Sequence, residues 1–414
     1  MKYCDNILNK LTSLIKNLNL DKKVVVSNLL FLILFFIKCL SDYQYLNYID
    51  EILTVFFVLY LLKNTLFLIK NYKMLLILWM LFLSFGLISN LIYNYQLFFP
   101  ALIDAGLIVS KFIIAYLAAS VYTRKTNFDF IQVITPISKL LVIIFTLLII
   151  HDIFFHPIYP KNEYRYFMES LQLMFGHPTY LAVAMVTLIA ILSYSNYNHK
   201  NIFYLICCSF IIFTTFRSKA IAFIFVYWMF YIFLFIMKKE INFIPIGIGG
   251  IISMLFLTKD TIINYFFSPT RYSPRSILLN DSFDLMIKHF PLGTGFGTFG
   301  TTIAEQFYSP LYVKLNYDNN FGMSALESYF LNDSFWPAIF AQTGIFGTAI
   351  FCLVIIYFIN CILKKYKKSK VISLAMGSII LYLLITSIAE SSFFNPTSLL
   401  LFILFGQMDN LTNI

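Results

Sequence analysis

Apolar stretches alternate with short polar segments along nearly the whole chain. A helix needs about 17–25 mostly apolar residues to cross a hydrocarbon core of ~30 Å. Stretches of this kind predict twelve transmembrane helices, at 24–40, 47–62, 74–93, 100–122, 134–151, 176–194, 201–216, 220–237, 241–257, 337–363, 371–389 and 396–408. The sequence therefore predicts an all-α fold, a polytopic membrane helix bundle.

One polar interruption, at 258–336, is much longer than the others and predicts a loop with short helices of its own. After Pro274 a helical pattern continues to Lys288 and ends before Pro291 and its glycines. The predicted apolar face of this helix contains Ile277, Leu278, Leu285 and Met286. We expect this amphipathic helix to rest on the surface of the bundle.

The long loop divides the chain into four regions. Residues 1–23 place apolar positions on one helical face, which predicts an interfacial segment on the cytoplasmic surface. Residues 24–257 are predicted to form the first part of the bundle, with about nine helices. The long loop at 258–336 separates it from the second part at 337–414, with about three helices.

Composition and charge support a lipid environment and assign a topology. Hydrophobic residues make up 60% of the chain and the mean hydropathy is +0.79, which is too much apolar surface for a soluble domain to bury. With a cytoplasmic N-terminus, the inner segments contain 19 Lys and Arg residues and the outer segments 10. Because inner segments are normally the basic ones, both termini are predicted to be cytoplasmic and the long loop extracytoplasmic. The net charge of +10 thus reflects topology, and no nucleic-acid partner is expected.

Cysteines and acidic residues give no sign of a metal site. The six cysteines lie in predicted spans or cytoplasmic segments, and none pairs with histidines at zinc spacing. We expect no metal and no cofactor. Asp104 and Lys111, seven residues apart in one predicted span, are interpreted as structural partners of other helices.

The segment 294–300 contains a G-x-G-x-x-G pattern. No βαβ unit surrounds it, so the pattern does not indicate a dinucleotide site. Two interpretations stay open. The segment is either a tight turn, or a nest of backbone N–H groups, with Gly293 and Gly295, that binds phosphate oxygens.

Several basic residues lie on the predicted outer side. Arg217 and Lys219 belong to a short turn between two apolar helices, Arg271 and Arg275 to the long loop, and Arg165 to the outer segment 151–175. Arginines at a membrane boundary often only extend to lipid headgroups, and loop arginines are often only solvated. A guanidinium at the rim of the bilayer can also bind a diphosphate bidentately.

Three residues on the same side are candidates for proton transfer: His177, His289 and Asp333. His177 precedes Pro178 at a predicted helix start, which is also a common structural position. His289 follows the amphipathic helix. The alternative interpretation is that it is a loop histidine with no catalytic function. Asp333 precedes a predicted span, where an Asn-Asp-Ser segment also fits a helix N-cap.

The order and spacing of these residues resemble a known family. Arg165 and Gly176 are separated by ten residues, Arg217 follows a Thr-rich helix end, and Arg275 leads through a helix into the Pro291 glycine turn. In this order the chain resembles the O-antigen polymerases (Wzy type) of the O-antigen ligase and polymerase superfamily. The similar motifs extend from Arg165 to Pro396, and the resemblance in topology covers nearly the whole chain.

One position departs from the ligases of that superfamily. Ligases place a histidine and a small polar residue nine residues before a Gly-x-x-Gly pattern. Here Asp333 and Ser334 precede Gly344 and Gly347 at this spacing, so an aspartate occupies the histidine position. The departure favours a polymerase over a ligase.

The resemblance implies a glycosyltransferase that moves a growing glycan from undecaprenyl diphosphate onto a lipid-linked repeat unit. It implies an outer-face activity in the bacterial inner membrane and a product that is O-antigen lipopolysaccharide or capsule. The implied partners are the undecaprenyl-diphosphate-linked oligosaccharide, membrane lipid, and a chain-length regulator and a flippase of the same pathway.

The resemblance also implies roles for the candidate residues. Arg217 and Arg275 bind the diphosphate, and one of Asp333, His289 and His177 accepts the proton of the acceptor hydroxyl. Supporting contacts to the phosphates come from Arg271, Arg165, Lys219, Gly293 and Gly295. Outer aromatic residues are expected to stack on sugars or to fill space in the loop: Tyr272, Tyr308, Tyr312, Tyr317 and Trp336.

Two further classes of function stay open beside polymerase and ligase. A lipid-linked oligosaccharide flippase needs polar groups through the centre of the bilayer, and only Asp104, Lys111 and a few residues at helix ends come near it. A glycosyltransferase that uses polyprenyl-phosphate sugars would use the acidic pair Asp50 and Glu51. Acidic residues at a helix start are also favoured by the helix dipole alone.

Overall fold

Helices account for most of the protein in this computed structural model, which describes residues 22–40, 46, 48–155, 158–159, 164–165, 168–236, 263 and 273–411. The predicted interfacial segment up to residue 21, the predicted span at 241–257, and Arg271 and Tyr272 lie outside the described residues.

The first part of the chain forms helices that follow the apolar stretches. They are α1 Lys22–Phe35, α2 Ile37–Leu40, α3 Ile49–Leu62, α4 Thr65–Tyr93, α5 Phe98–Ile103, α6 Lys111–Thr126 and α7 Phe130–Phe154. A π-helical segment, Asp104–Val109, joins α5 to α6. An antiparallel hairpin of β1 Tyr164–Arg165 and β2 Met168–Glu169 follows α7.

The remaining helices fall into membrane and loop groups. The apolar ones are α8 Pro178–Tyr194, α9 Ile202–Thr214 and α10 Ser218–Tyr231, which continues as a π-helical segment to Ile236. The long loop contains α11 Pro274–Lys288, α12 Thr302–Gln306 and α13 Pro310–Lys314. The chain then forms α14 Phe335–Tyr366, α15 Lys370–Ser387 and α16 Pro396–Asn410. Two 3₁₀ turns lie at Tyr197–His199 and Tyr317–Asn319.

Several of these helices indicate a membrane protein. Among the described residues, five helices are long and apolar enough to cross a membrane, and six if the pair around the π-helical segment, bent by 51°, forms one span. Helices are present in eleven of the twelve predicted stretches. The twelfth, 241–257, lies outside the described residues. The total of twelve transmembrane helices, and the side of the membrane on which the long loop lies, stay predictions.

The two ends of the bundle carry different polar residues. At one end Arg124 donates to Asn71 over 2.8 Å, and Lys365 donates to the Leu411 carbonyl over 3.1 Å. The charge pattern of the sequence predicts that this end is cytoplasmic. Helix α6 runs from Lys111 at the opposite end to Arg124, and α14 runs from the neighbourhood of Asp333 to Lys365. The candidate site residues therefore lie at the end away from Arg124.

The centre of the bundle is helix α16, which is buried along nearly its whole length and packs along α6. A Cβ added at Gly406 would lie 2.5 Å from the Tyr116 carbonyl oxygen, so this glycine permits the close approach of the two helices. Aromatic rings of both helices pack together, with Phe112 and Phe402 centroids 4.9 Å apart. Burial of such rings dominates the apolar packing of this centre.

The glycine loop (residues 291–300) docks on a break in α14. At Gly344 the backbone leaves helical geometry, with φ 61° and ψ −163°. Just before the break, the Ala341 and Gln342 carbonyls accept hydrogen bonds from the N–H groups of Thr294 (2.8 Å) and Gly295 (2.9 Å). A helix break exposes carbonyls that need partners, and the glycine loop supplies them.

The other side of the glycine loop is held by α4 and by the π-helical segment. Asn90 accepts from the Phe296 N–H over 2.7 Å and donates to its carbonyl over 2.9 Å. The buried Asp104 carboxylate accepts from the Gly297 N–H over 2.7 Å. Asp104, interpreted as a structural partner of other helices, thus holds the glycine loop.

The predicted amphipathic helix is present as α11, which begins at Pro274 and ends at Lys288 as expected. Leu278 and Leu285 are buried, Ile277 and Met286 are partly buried, and Ser282 is also buried on this face. The face packs against α14. Docking of the glycine loop at the C-terminal end of α11 therefore fixes this helix on α14.

We predict that Gly293→Ala destabilises the protein by ~2 kcal/mol or more. Its φ of +82° disfavours a side chain, and the new Cβ would lie 2.4 Å from the Gly344 nitrogen. Gly377→Ala is the matched control, because that Cβ meets no atom within 4 Å and alanine is preferred within a helix. Thermal unfolding in one detergent measures both, and equal midpoints for the two variants would contradict the docking account.

Candidate functional site

A cavity of about 1150 Å³ lies among the helix ends on the side away from Arg124. Its wall is formed by residues from separate stretches of the chain, and many of them are charged. The basic residues that line it are Lys38, Lys111, Arg165, Arg217, Lys219 and Arg275, and the carboxylates are Asp50, Glu51, Asp333 and Glu390.

Six of the ten predicted site residues line this one cavity: Arg165, His177, Arg217, Lys219, Arg275 and Asp333. Gly176, the second residue of the Arg165 motif, lines it as well. The structure thus brings together residues that are up to 168 positions apart in sequence, from Arg165 to Asp333. Arg271 lies outside the described residues.

Arg217 occupies the tight turn between α9 and α10. Its backbone is extended at the N-cap of α10, and its side chain is largely buried, with 8% of the residue exposed. Nη2 of Arg217 lies 3.0 Å from Nε2 of His177. Burial in a short turn keeps the guanidinium at the cavity instead of letting it extend to lipid headgroups.

His177 begins α8, as its position before Pro178 predicted. Since an arginine side chain only donates hydrogen bonds, Nε2 of His177 is the acceptor in the contact with Arg217. A neutral imidazole has one acceptor nitrogen, so when Nε2 accepts from Arg217, Nδ1 carries the proton and does not accept from the Thr179 N–H 3.3 Å away. A protonated ring would place two cations 3.0 Å apart, and this geometry therefore favours neutral His177.

Arg275 and Asp333 form an ion pair across two helix starts. Nη2 of Arg275, in the first turn of α11, lies 2.7 Å from Oδ2 of Asp333, just before α14. The two side chains are 19% and 35% exposed, so the pair opens onto the cavity. The segment Asn332-Asp333-Ser334 precedes a helix as predicted, with Ser334 as the N-cap residue, while Asp333 turns to Arg275.

Lys219 pairs with Glu390, which follows α15, and also lies 3.4 Å from the Ala389 carbonyl oxygen. Electrostatic interactions connect Lys219 with Arg275 and Asp333 as well. Arg217, Lys219 and Arg275 thus each have a partner within the protein. An anionic ligand would have to replace or share these partners.

A second charged group, the acidic cluster (Asp50, Glu51 and Lys111), lies on another part of the wall. The Lys111 ammonium is 2.5 Å from Oδ2 of Asp50 and 3.6 Å from Oε1 of Glu51. Lys111 was expected to pair with another helix, and its partners are these two residues in the first turn of α3. No local pattern indicates this pairing, because 61 residues separate Lys111 from Asp50.

His289, predicted as a candidate proton acceptor, does not line the cavity. It is 3% exposed, and its Nδ1 lies 3.0 Å from the Leu285 carbonyl oxygen, to which it donates. Its Nε2 then accepts from the Tyr95 hydroxyl over 3.0 Å. Burial lowers the pKa of His289. Both nitrogens are used inside the protein, so His289 fixes the end of α11 to Tyr95.

Gly293 and Gly295, predicted as phosphate contacts, are also outside the cavity wall. Their N–H groups donate to the carbonyls of His289 (3.0 Å) and Gln342 (2.9 Å). Phe296 and Gly297 likewise donate to side chains of the bundle. A nest needs free N–H groups, and the tight-turn interpretation is the one that fits.

Most of the outer aromatic residues named from the sequence serve packing. Tyr312 and Tyr317 are fully buried and stack on each other, and Trp336 donates to Ser387. The cavity wall instead contains other aromatic and polar side chains that sequence reasoning missed: Tyr48, Tyr180, Thr301, Gln306, Phe307, Tyr329 and Asn332. No motif marks them as a set, since Tyr48 and Tyr180 come from the bundle and the other five from the folded long loop.

Comparison with known proteins gives no family assignment. The chain matches no protein-family model, no curated protein and no solved structure. The class defined by its fold is that of a helical membrane protein with a charged cavity at one end of the bundle.

Proposed function

We propose that this protein is a polysaccharide polymerase of the O-antigen type. It transfers a growing glycan from undecaprenyl diphosphate onto a lipid-linked repeat unit at the outer face of the bacterial inner membrane. One observation carries the proposal: guanidinium groups from three separate stretches, Arg165, Arg217 and Arg275, line one cavity at a single end of the bundle. The resemblance of the motif order supports the same reaction.

The basic residues suit a diphosphate leaving group. Arg217 and Arg275 present planar forks that match phosphate oxygens bidentately. Lys219 adds a point charge beside them, within electrostatic range of Arg275. Donors placed where negative charge develops stabilise a transition state more than a ground state. In this proposal the cluster neutralises the diphosphate as it leaves.

The reaction forms one carbon–oxygen bond, breaks another, and transfers one proton. The acceptor hydroxyl oxygen attacks the anomeric carbon of the donor glycan, and the bond from that carbon to the diphosphate oxygen breaks. The diphosphate leaves with the electron pair and remains on the polyprenyl lipid. The hydroxyl proton passes to a base on the protein.

Asp333 is the base that we propose. Its carboxylate is held by Arg275 over 2.7 Å in this structure. When Arg275 turns to the phosphates, the Asp333 carboxylate loses its partner and its oxygens are free to accept the hydroxyl proton. Donor binding would thereby prepare the base. His177 is the second candidate, because it lines the same cavity and its contact with Arg217 favours the neutral form.

We predict that Arg217→Ala and Arg275→Lys abolish long polysaccharide in a strain that lacks its own enzyme. Arg275→Lys keeps the positive charge but removes the planar guanidinium. Loss of long polysaccharide in this variant would therefore indicate bidentate binding of the phosphate. Gel analysis of the surface polysaccharide, at equal protein levels, should show only single repeat units. Lys367→Ala is the control, since Lys367 is exposed and lies at the other end of the bundle. Loss of single units as well would point to a flippase or a ligase.

We predict that Asp333→Asn lowers the rate of glycan transfer by ~10²–10⁴-fold, the usual contribution of a well-placed base. The amide oxygen can still accept from Arg275, so the fold should be unaffected. Asp284→Asn, at an exposed position of α11 outside the cavity wall, is the matched control. Transfer is measured with purified protein and lipid-linked repeat units. A wild-type rate in Asp333→Asn would remove Asp333 as the base and leave His177.

A further inference from the structure

The acidic cluster has more carboxyl groups than basic groups. Two carboxylates, Asp50 and Glu51, face a single ammonium, that of Lys111. The Asp50 side chain is 1% exposed and that of Glu51 is 22% exposed. All three residues line the cavity. The helix dipole explains why acidic residues occur in the first turn of α3, but it does not explain a deficit of partners.

Two oxygens of the cluster have no hydrogen-bond partner among the described residues. They are Oδ1 of Asp50 and Oε2 of Glu51. A buried acceptor without a donor loses the free energy of its contact with water, and native proteins seldom leave one in this state. Because the cluster belongs to the cavity wall, a ligand in the cavity can provide the missing donors.

The chemistry of the cluster selects among ligands. Carboxyl groups outnumber cationic groups in the cluster, which disfavours an anion there, so the diphosphate belongs with Arg217 and Arg275. A metal cation would have to lie beside the Lys111 ammonium, which already takes one oxygen of Asp50 at 2.5 Å. Neutral hydroxyl groups donate hydrogen bonds to carboxylates without adding charge. Sugars carry several such groups at fixed spacing.

We propose that Asp50 and Glu51 bind hydroxyl groups of the acceptor repeat unit, so that the cavity has a basic subsite for the donor diphosphate and an acidic subsite for the acceptor sugar. This inference rests on the proposed function, since it assigns the second substrate of the same reaction. The acidic cluster forms hydrogen bonds only and takes no part in bond breaking. It orients the acceptor hydroxyl toward the donor.

Glu51→Gln is the variant that tests the inference. It removes the partly exposed carboxylate and leaves Asp50 paired with Lys111. Replacing Asp50 alone would leave Lys111 buried without its closest partner, which commonly unfolds a protein. Glu327→Gln is the matched control, because Glu327 is exposed in the long loop and does not line the cavity.

The experiment measures two affinities of the full chain in lipid nanodiscs. One probe is the repeat-unit oligosaccharide, released by mild acid from the lipid-linked pool of the source cell, and the other is undecaprenyl diphosphate. We expect Glu51→Gln to weaken oligosaccharide binding about 10-fold, because a hydrogen bond to a carboxylate is replaced by a weaker one to a neutral amide oxygen. Its affinity for undecaprenyl diphosphate should equal that of the wild type and of Glu327→Gln.

The outcomes separate this inference from the proposed function. Unchanged oligosaccharide affinity in Glu51→Gln overturns the acidic subsite. Wild-type protein that binds undecaprenyl diphosphate but no oligosaccharide overturns it too, while the donor subsite stands. Binding of neither probe overturns the proposed function itself. Sodium or calcium binding to the wild type that Glu51→Gln abolishes, with oligosaccharide affinity unchanged, would identify a cation site instead.

Discussion

The hydrogen bonds between the glycine loop and the broken turn of α14 determine the arrangement of the site. The N–H groups of Thr294 and Gly295 satisfy the Ala341 and Gln342 carbonyls, which the break at Gly344 leaves without helical partners. The same contact fixes α11 along α14 and so brings Arg275 to Asp333. Asn90 and Asp104 hold the loop from the opposite side. The glycines therefore contribute to function indirectly, through the position of α11.

The cavity wall contains ion pairs that stability alone does not favour. Taking an ion pair out of water costs several kcal/mol per ion, and apolar replacements are often as stable. Yet Arg275 pairs with Asp333, Lys219 with Glu390, and Lys111 with Asp50 and Glu51 on the wall of one cavity. Charges kept at such a cost are typical of functional sites. The internal partners also explain how the basic residues are accommodated when no anionic ligand is bound.

Much of this architecture is predictable from sequence, because lipid imposes a strong constraint on helix length and polarity. Apolar stretches indicate the helices, Pro274 and Pro178 mark the starts of α11 and α8, and the order of the arginines indicates a common site. The remaining features depend on tertiary contacts. The break at Gly344 requires the docked glycine loop, and the pairing of Lys111 with Asp50 joins helices far apart in sequence. Both ring nitrogens of His289 form hydrogen bonds, with the Tyr95 hydroxyl and the Leu285 carbonyl. The sequence alone left this histidine as a candidate for catalysis.

The most direct test is a structure of the protein in nanodiscs with undecaprenyl diphosphate bound. The account predicts phosphate oxygens at hydrogen-bond distance, about 3 Å, from the guanidinium groups of Arg217 and Arg275, with Arg275 separated from Asp333. A diphosphate bound at the Arg124 end of the bundle would contradict it. So would a lipid head in the cavity that leaves both arginines with their present partners.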